Sequence, residues 1–430
     1  MTGPRGSQLF VEPSPDTPLV WFDVALLGGA AADPVGVEGL HRHAAVLARR
    51  GAGARDRAAF DESLDAMGAA VDVAAGRDAI TVSGVCLRRH LDAVVDLVAD
   101  LLARPRFDLA EHERLLRETP QVLDEIRDDD SALASRWFDW ECAPGHPYGR
   151  TALGTRASLS RITRDDAIAV WQREVVPANL VIGLAGDVDP DAGAALAARM
   201  VEGLSAQPAP PLPVVPETAP VAGRRLVLVD KPDRTQAQLR LGHLGPRFGG
   251  DDTPALLLAE TAFGGMFSSR LMQEIRVKRG WSYGAGCGLR RSRGSHWFEA
   301  WMATEVGVAG DAVALTLGLL EELAVAGITA EELELARSYL VGSLPFSTAT
   351  ARQRLHLLVR DAVYGLPPGY SIGLPARLEG LGVAEVTAAC ARHVRPEALV
   401  TVAVTTADTA HDALAAAGAG TVTVVAHDAY

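Results

Sequence analysis

The chain has 430 residues, too many for one compact core and suited to two domains of about 200 residues each. Its formal net charge of −13 offers no basic footprint, which excludes nucleic acid as a leading class of partner. Hydrophobic residues make up 48% but aromatics only 5%, so the cores must be packed from Ala, Val and Leu through many small contacts.

The first residues, Met1 to Arg5, lead into no apolar targeting segment. No stretch approaches the ~20 apolar residues of a membrane span, so a cytoplasmic location without membrane contact is expected. Cys86, Cys142, Cys287 and Cys390 form no C-x-x-C pair, and reduced thiols are expected. Along the first half, strands are predicted over 19–27 and 79–86, and helices over 37–50, 57–67, 88–103, 108–127, 130–141 and 164–174. Asp108 is placed to cap the helix at 108, with Glu111 three residues on. Pro177 and Asn179 then lead into a strand over 181–185.

Six prolines follow between 204 and 222: Pro208, Pro210, Pro211, Pro213, Pro216 and Pro220. Proline lacks an N–H and fixes φ, so this stretch is neither helix interior nor central strand and marks a semi-stiff linker. It separates a domain over 1–203 from a domain over 223–430. In the second half, strands are predicted over 225–229 and 236–242, and helices over 253–263, 268–279, 308–326, 330–343 and 383–392. Thr329 and Glu332 form a capping pair like Asp108 and Glu111. Pro396 to Leu399 lead into a strand over 400–404, as Pro177 to Leu180 do in the first half. Two halves that close alike indicate duplication. The expected fold class is α+β: two homologous domains, each a mostly antiparallel sheet with helices packed on one face, joined by the Pro-rich linker.

Three segments carry the functional signal. The first runs from Gly39 to Gly51 and contains His41, Arg42, His43, Ala45 and Val46. The second runs from Glu118 to Arg127, with Glu125 seven residues after Glu118 and Pro120 between them. The third is Phe263-Gly264-Gly265 through Ser268-Ser269-Arg270-Leu271 to Arg276, Gly280 and Tyr283. Each has a plain structural reading: a packing helix, a solvated acidic helix face, and an Arg in a last helical turn beside a core-capping Tyr.

Taken together and in order, these segments resemble the pitrilysin/insulinase family of zinc peptidases. Leu64 to Asp72, Gly145-His146-Pro147-Tyr148-Gly149, Ala185-Gly186-Asp187 and Asp230-Lys231-Pro232 agree, so the resemblance spans about residues 15–410. In that family a helix carries H-x-x-E-H, whose two imidazoles hold Zn²⁺ while the Glu takes a proton from bound water. Aligning Gly39 and Gly51 with the family places Arg42, Ala45 and Val46 on the His, Glu and His. Ligands and base are therefore absent. Glu125 falls on the family's third ligand and Glu118 on its second acidic residue, both now degenerate. His41 and His43 do not rescue the site, because residues two apart on a helix point about 200° apart. Glu38 and His41 share a face, but two ligands make a poor site.

Arg276 and Tyr283 stand on the family's Arg/Tyr pair. The resemblance implies that Arg276 binds peptide carbonyls and that Tyr283 stabilises the oxyanion formed when water attacks the scissile carbonyl. It also implies a heterodimer. This chain, inactive alone and binding no metal, would be the non-catalytic, substrate-binding subunit. A homologous chain with intact H-x-x-E-H would supply zinc and general base. An inert scaffold, or a stand-alone peptide-binding protein of the same fold, is the alternative, and a homodimer in isolation stays open.

Overall fold

A computed structural model describes residues 2–215 and 221–429. In the first half of the chain come β1 (Gln8–Pro13), β2 (Leu19–Leu27), α1 (Leu40–Ala48), a small hairpin of β3 (Gly51–Ala52) and β4 (Arg55–Asp56), then α2 (Arg57–Asp65), β5 (Ala70–Ala75) and β6 (Ala79–Leu87). Helices α3 (Leu91–Ala103), α4 (Leu109–Asp128), α5 (Asp130–Cys142), α6 (Arg156–Leu159) and α7 (Arg164–Glu174) follow, and β7 (Leu180–Gly186) and α8 (Pro190–Glu202) close the half. Residues 205–215 have no regular structure, as four of the six linker prolines require; Pro216 and Pro220 lie outside the described residues.

The second half opens with β8 (Arg225–Asp230), β9 (Gln236–Leu244) and α9 (Thr253–Glu260). Next come β10 (Ser282–Arg290), β11 (Trp297–Glu305), α10 (Ala309–Ala326), α11 (Ala330–Thr348) and α12 (Ala351–Val363). The chain ends through α13 (Leu374–Glu379), α14 (Val383–His393), β12 (Val400–Thr405), α15 (Ala407–Ala416) and β13 (Thr421–Ala426). The architecture is the expected α+β one. A five-stranded sheet has the order β1-β7-β2-β6-β5 and is antiparallel except for β1 with β7. A six-stranded sheet has the order β10-β11-β9-β12-β8-β13 and is parallel only where β8 meets β12 and β13.

Alternation along the strands sets the layers. In β2, Val20, Phe22, Val24 and Leu26 enter one core with α1, α3, α7 and α8, while Ala25 enters a second core on the opposite face. In the other sheet, Leu226, Leu228, Leu239, Leu241, Ala300 and Met302 enter a core with α9, α10, α14 and α15. The Thr329 hydroxyl accepts from the Glu332 N–H at 3.1 Å and the Glu332 carboxylate accepts from the Thr329 N–H at 2.8 Å, the reciprocal cap that starts α11. The Asp108 carboxylate is held by Arg106 at 2.8 and 3.2 Å, so α4 starts on its backbone carbonyl, which accepts from His112. Among the described residues no single helix is long and apolar enough to cross a membrane.

Packing groups the chain differently from its order in sequence. One compact unit comprises Met1–Leu123, Arg150–Val214 and Phe346–Ile372; the other comprises Asp124–Gly149, Val215–Pro345 and Gly373–Tyr430. The halves 1–203 and 223–430 thus exchange one segment each. In the first unit α12 packs on β7, β1 and β2, with Leu355 and Val359 over Gly183 of β7, where a Cβ would come within 2.8 Å of both. In the second unit α5 packs on β9 and β12, with Phe138 over Gly242 of β9, where a Cβ would lie 2.9 Å from its ring. A strand glycine brings each helix close to the sheet, and the face that the sequence reading left bare is covered.

Phe138 is fully buried and lies 6.3 Å, ring to ring, from Trp297. Phe138→Ala should lower stability by about 3–5 kcal/mol, read from the urea midpoint. A loss of only about 0.5 kcal/mol, the size of a surface substitution, would show that α5 is not anchored on this sheet.

Candidate functional site

The degenerate metal motif lies on α1. Gly39 precedes it with φ 93°, a conformation that favours glycine. The Asp33 carboxylate accepts from the backbone N–H of Gly39 (2.8 Å) and of His41 (2.9 Å) and pairs with His41 Nδ1 at 2.6 Å. The far nitrogen, His41 Nε2, stands 3.6 Å from Glu174 Oε1. All three side chains are buried. Burial alone would lower the His41 pKa, but the bonds and charges of Asp33 and Glu174 together raise it above its ordinary value. Glu174 is held below the usual carboxylate range: burial acts upward, and the His41 and Arg173 contacts outweigh it.

His43 points elsewhere, as its spacing from His41 requires. Its Nε2 lies 2.8 Å from His112 Nδ1, with the rings edge to face. Burial, aided by the charges of His112, Arg42 and Arg50, pushes its pKa down to about 3. Arg42 is half-buried; burial and the neighbouring Arg50 lower its pKa. Ala45 is fully buried and Val46 packs at the rim of the same core. Glu118 takes Arg50 at 2.5 Å and Arg114 at 2.7 Å, and these hydrogen bonds lower its pKa. Glu125 is exposed. Arg42, Ala45 and Val46 therefore supply packing and charge but no ligand, and the Glu118 carboxylate is neutralised by two guanidiniums. Among the described residues no group of three His, Cys, Asp or Glu is arranged to hold a metal ion.

Arg276 and Tyr283 come together in the second unit. Arg276 sits on a widened helical turn, Met272–Val277, whose Met272 and Ile275 are buried. Such π-type turns often mark functional sites. Its guanidinium lies between two rings, 5.1 Å from the centre of Phe267 and 4.9 Å from that of Tyr283. Among the described residues it makes no side-chain hydrogen bond or ion pair, and it is partly exposed. Tyr283 is 88% exposed. It is aimed by a bulge: Ser282 pairs with Thr304 and Ala285 with Met302, so Tyr283 and Gly284 together oppose Ala303. The Ser282 hydroxyl fastens the bulge, donating to the Gly284 carbonyl at 2.6 Å and accepting from its N–H at 3.2 Å.

The rest of the third segment builds this corner. A Cβ at Gly264 would lie 2.4 Å from the backbone nitrogen of Cys287, so only glycine lets this turn rest on β10. Arg270 binds Glu332 at 2.8 and 2.6 Å and the Gly327 carbonyl at 3.1 Å, tying the segment to the cap of α11. Beside the pair opens a cavity of about 570 Å³, within the range of small-molecule and side-chain sites. Phe267, Trp301, Tyr339 and Arg240 line it with Arg276 and Tyr283. Strand β10 is the outer strand of its sheet, and the Ala285 N–H donates to Met272 Sδ at 3.3 Å, so the widened turn is fastened to it.

Trp301, Tyr339 and Arg240 were not singled out in the sequence. The aromatic pair Trp297 and Trp301, four apart, was the available signal, and it became readable only once β11 was known to be a strand. His146 is structural: its Nδ1 accepts from the Tyr148 N–H at 3.0 Å, and the Tyr148 hydroxyl accepts from the Gly294 N–H at 2.8 Å.

A family profile described as the peptidase M16 inactive domain matches residues 161–340. A Mycobacterium tuberculosis protein named as an uncharacterized zinc protease is 32% identical over 353 residues, 79% of this chain and 77% of that one. A Helicobacter pylori protein named as a non-peptidase homolog is 23% identical over 375 residues, 86% of this chain and 85% of its own. The crystal structure of a peptidase M16 inactive domain from Pseudomonas fluorescens superimposes with a TM-score of 0.88 at 22% identity, covering 94% of this chain and 97% of that one.

The two histidines of α1 should leave opposite signatures, His43 in acid and His41 above pH ~6.5. His43 refuses a proton until about pH 3 when folded but accepts one near pH 6.5 when unfolded, so its share of stability falls as pH drops between those values. His41, raised when folded, stabilises fully below pH ~6.5 and loses that share as pH rises through its folded value. His43→Phe should therefore flatten the fall of the urea midpoint between pH 6 and 4, whereas His41→Gln should leave that slope unchanged and remove a loss of stability as pH rises above ~6.5. Equal slopes in both variants would contradict these environments.

Proposed function

The chain belongs to the peptidase M16 family, the pitrilysin/insulinase zinc peptidases, and we propose that it serves there as the substrate-holding subunit of a two-chain enzyme. What supports this is one contrast. The positions that resemble the family's metal motif hold Arg42, Ala45 and Val46, whereas Arg276 and the exposed Tyr283 stand side by side next to the outer strand β10. Chemistry that needs a cation and a base is missing here; chemistry that needs hydrogen-bond donors is present.

An extended peptide lies beside the outer strand β10 and takes part of its affinity from main-chain hydrogen bonds. The Arg276 guanidinium offers a fork of donors to a peptide carbonyl, and its ring neighbours hold it in place. The Tyr283 hydroxyl donates to the oxygen that becomes negative at the scissile carbon. Zinc and the general base come from a homologous chain that retains H-x-x-E-H; this chain holds no metal of its own. The pair works in the cytoplasm on unfolded peptide. The alternative is an inert scaffold or stand-alone peptide binder, in which Arg276 and Tyr283 touch no reacting atom.

Purified alone, the chain should hydrolyse no peptide and carry no stoichiometric zinc by elemental analysis. Zinc near one equivalent that disappears on His41→Ala would overturn the assignment. When the chain is reconstituted with a homologous H-x-x-E-H subunit, Tyr283→Phe should lower turnover at least tenfold with assembly intact, since one oxyanion donor contributes about 2.7–4 kcal/mol. Turnover that is indifferent to Tyr283→Phe leaves only the scaffold or binder.

A further inference from the structure

The cavity beside Arg276 has a floor set by strand register. Arg240 of β9, Trp301 of β11 and Gly286 of β10 stand opposite one another in one row. Gln238, Ala303 and the bulged pair Tyr283 and Gly284 form the next. Gly286 matters for the shape: a Cβ there would lie 2.7 Å from the Trp301 ring, and one at Gly284 would touch it at 3.9 Å. With both positions glycine, the indole rests across the outer strand and stays 45% exposed, with Tyr339 at 49% beside the same space. A large ring kept half in water on a bed of glycines is not explained by packing of the core.

The charges of the lining are one-sided. It includes Arg240 and Arg276 but no Asp or Glu. Arg240 is answered from behind by Glu299 at 3.1 Å and by the Ser131 hydroxyl at 2.7 Å. Arg276 has no carboxylate partner among the described residues. A Lys or Arg side chain entering here would face like charge. An acidic side chain would meet Arg276 but would shed its water against Trp301, Met266, Met272 and Ala285. An aromatic side chain suits both features: it brings no charge to be repelled or desolvated, and its ring stacks on the half-exposed indole.

We infer that this cavity receives an aromatic side chain of the bound peptide and that Trp301 is the residue that determines this selectivity. The inference rests on the reading of Arg276 and Tyr283 as a peptide-holding pair, and it adds to that reading which peptides are held. Trp301 touches the side chain and not the reacting carbonyl, so it governs binding and leaves the chemical step to others.

The test uses the full chain and three fluorescent ten-residue peptides of Gly, Ser and Ala, blocked at both ends, with a central Phe, Glu or Lys. Fluorescence anisotropy should give a dissociation constant for the Phe peptide at least tenfold below that of the Lys peptide, with Glu between. Trp301→Ala should reduce the difference to less than threefold, and Trp301→Phe should retain most of it. Gly286→Ala, which keeps the indole but pushes it off its bed, should weaken the Phe peptide alone. The inference is overturned if Lys or Glu binds as tightly as Phe, if the preference survives Trp301→Ala, or if none of the three binds. Those outcomes sink the selectivity but leave the peptide-holding role standing as long as turnover of the reconstituted pair falls in Tyr283→Phe; turnover unmoved by that change sinks the role itself.

Discussion

A sheet has two faces, and both must be shielded from water or used. In each unit the helices of the same half of the sequence cover one face, and a single helix from the other half covers the opposite one. One helix is too narrow for six strands. In the second unit α5 lies chiefly on β9 and β12, held close by Gly242, and it leaves the β10 and β11 side of that face open near Tyr283. The cavity is what remains uncovered. Its position follows from sheet width and helix width, and its chemistry from the residues that happen to face it: Arg240, Trp301, Ala303 and the glycines of β10.

In the first unit the polar groups around α1 are satisfied without a cation. They pair with one another. Asp33, His41 and Glu174 form a buried chain of opposite charges, and Glu118 takes two arginines. Buried charges without partners cost more than the same charges paired, so the arrangement is self-consistent without a cation. Arg42 adds positive charge on the same helix. Recruiting a divalent ion at these positions would require supplying imidazoles where Arg42, Ala45 and Val46 stand.

Much of this was legible in the residues, and the failures have physical causes. Strands such as β2 and β9 announce themselves by alternation of Val, Phe and Leu with smaller or polar residues. The Thr329 cap is readable because its partner, Glu332, is three residues away. Strand β10 is hard to read because Gly284, Gly286 and Gly288 lower its propensity, yet those glycines are what let Trp301 lie over it. The exchange of α5 and α12 could not be read at all: each is an ordinary amphipathic helix, and which sheet it covers is decided by contacts about a hundred residues or more away, as between Phe138 and Gly242. The Arg276 and Tyr283 pair was readable as a motif, but the bulge that aims Tyr283 and the rings that hold Arg276 were not.

The chain's net charge of −13 and its cationic cavity pull in opposite directions, and range decides between them. The acidic surface acts through solvent, where a screening length of about 8 Å at physiological salt leaves little beyond the nearest charges. Its effect is on encounter rates, and it favours basic peptides. Arg276 acts at contact, well inside that screening length, with its guanidinium over the Phe267 and Tyr283 rings. A basic peptide can therefore arrive quickly and still be held poorly, because the side chain that enters the cavity meets a guanidinium that no carboxylate balances. On the proposed peptide-holding role, selectivity resides in the dissociation rate and is set by Arg276 and Trp301, not by the thirteen surplus acidic charges.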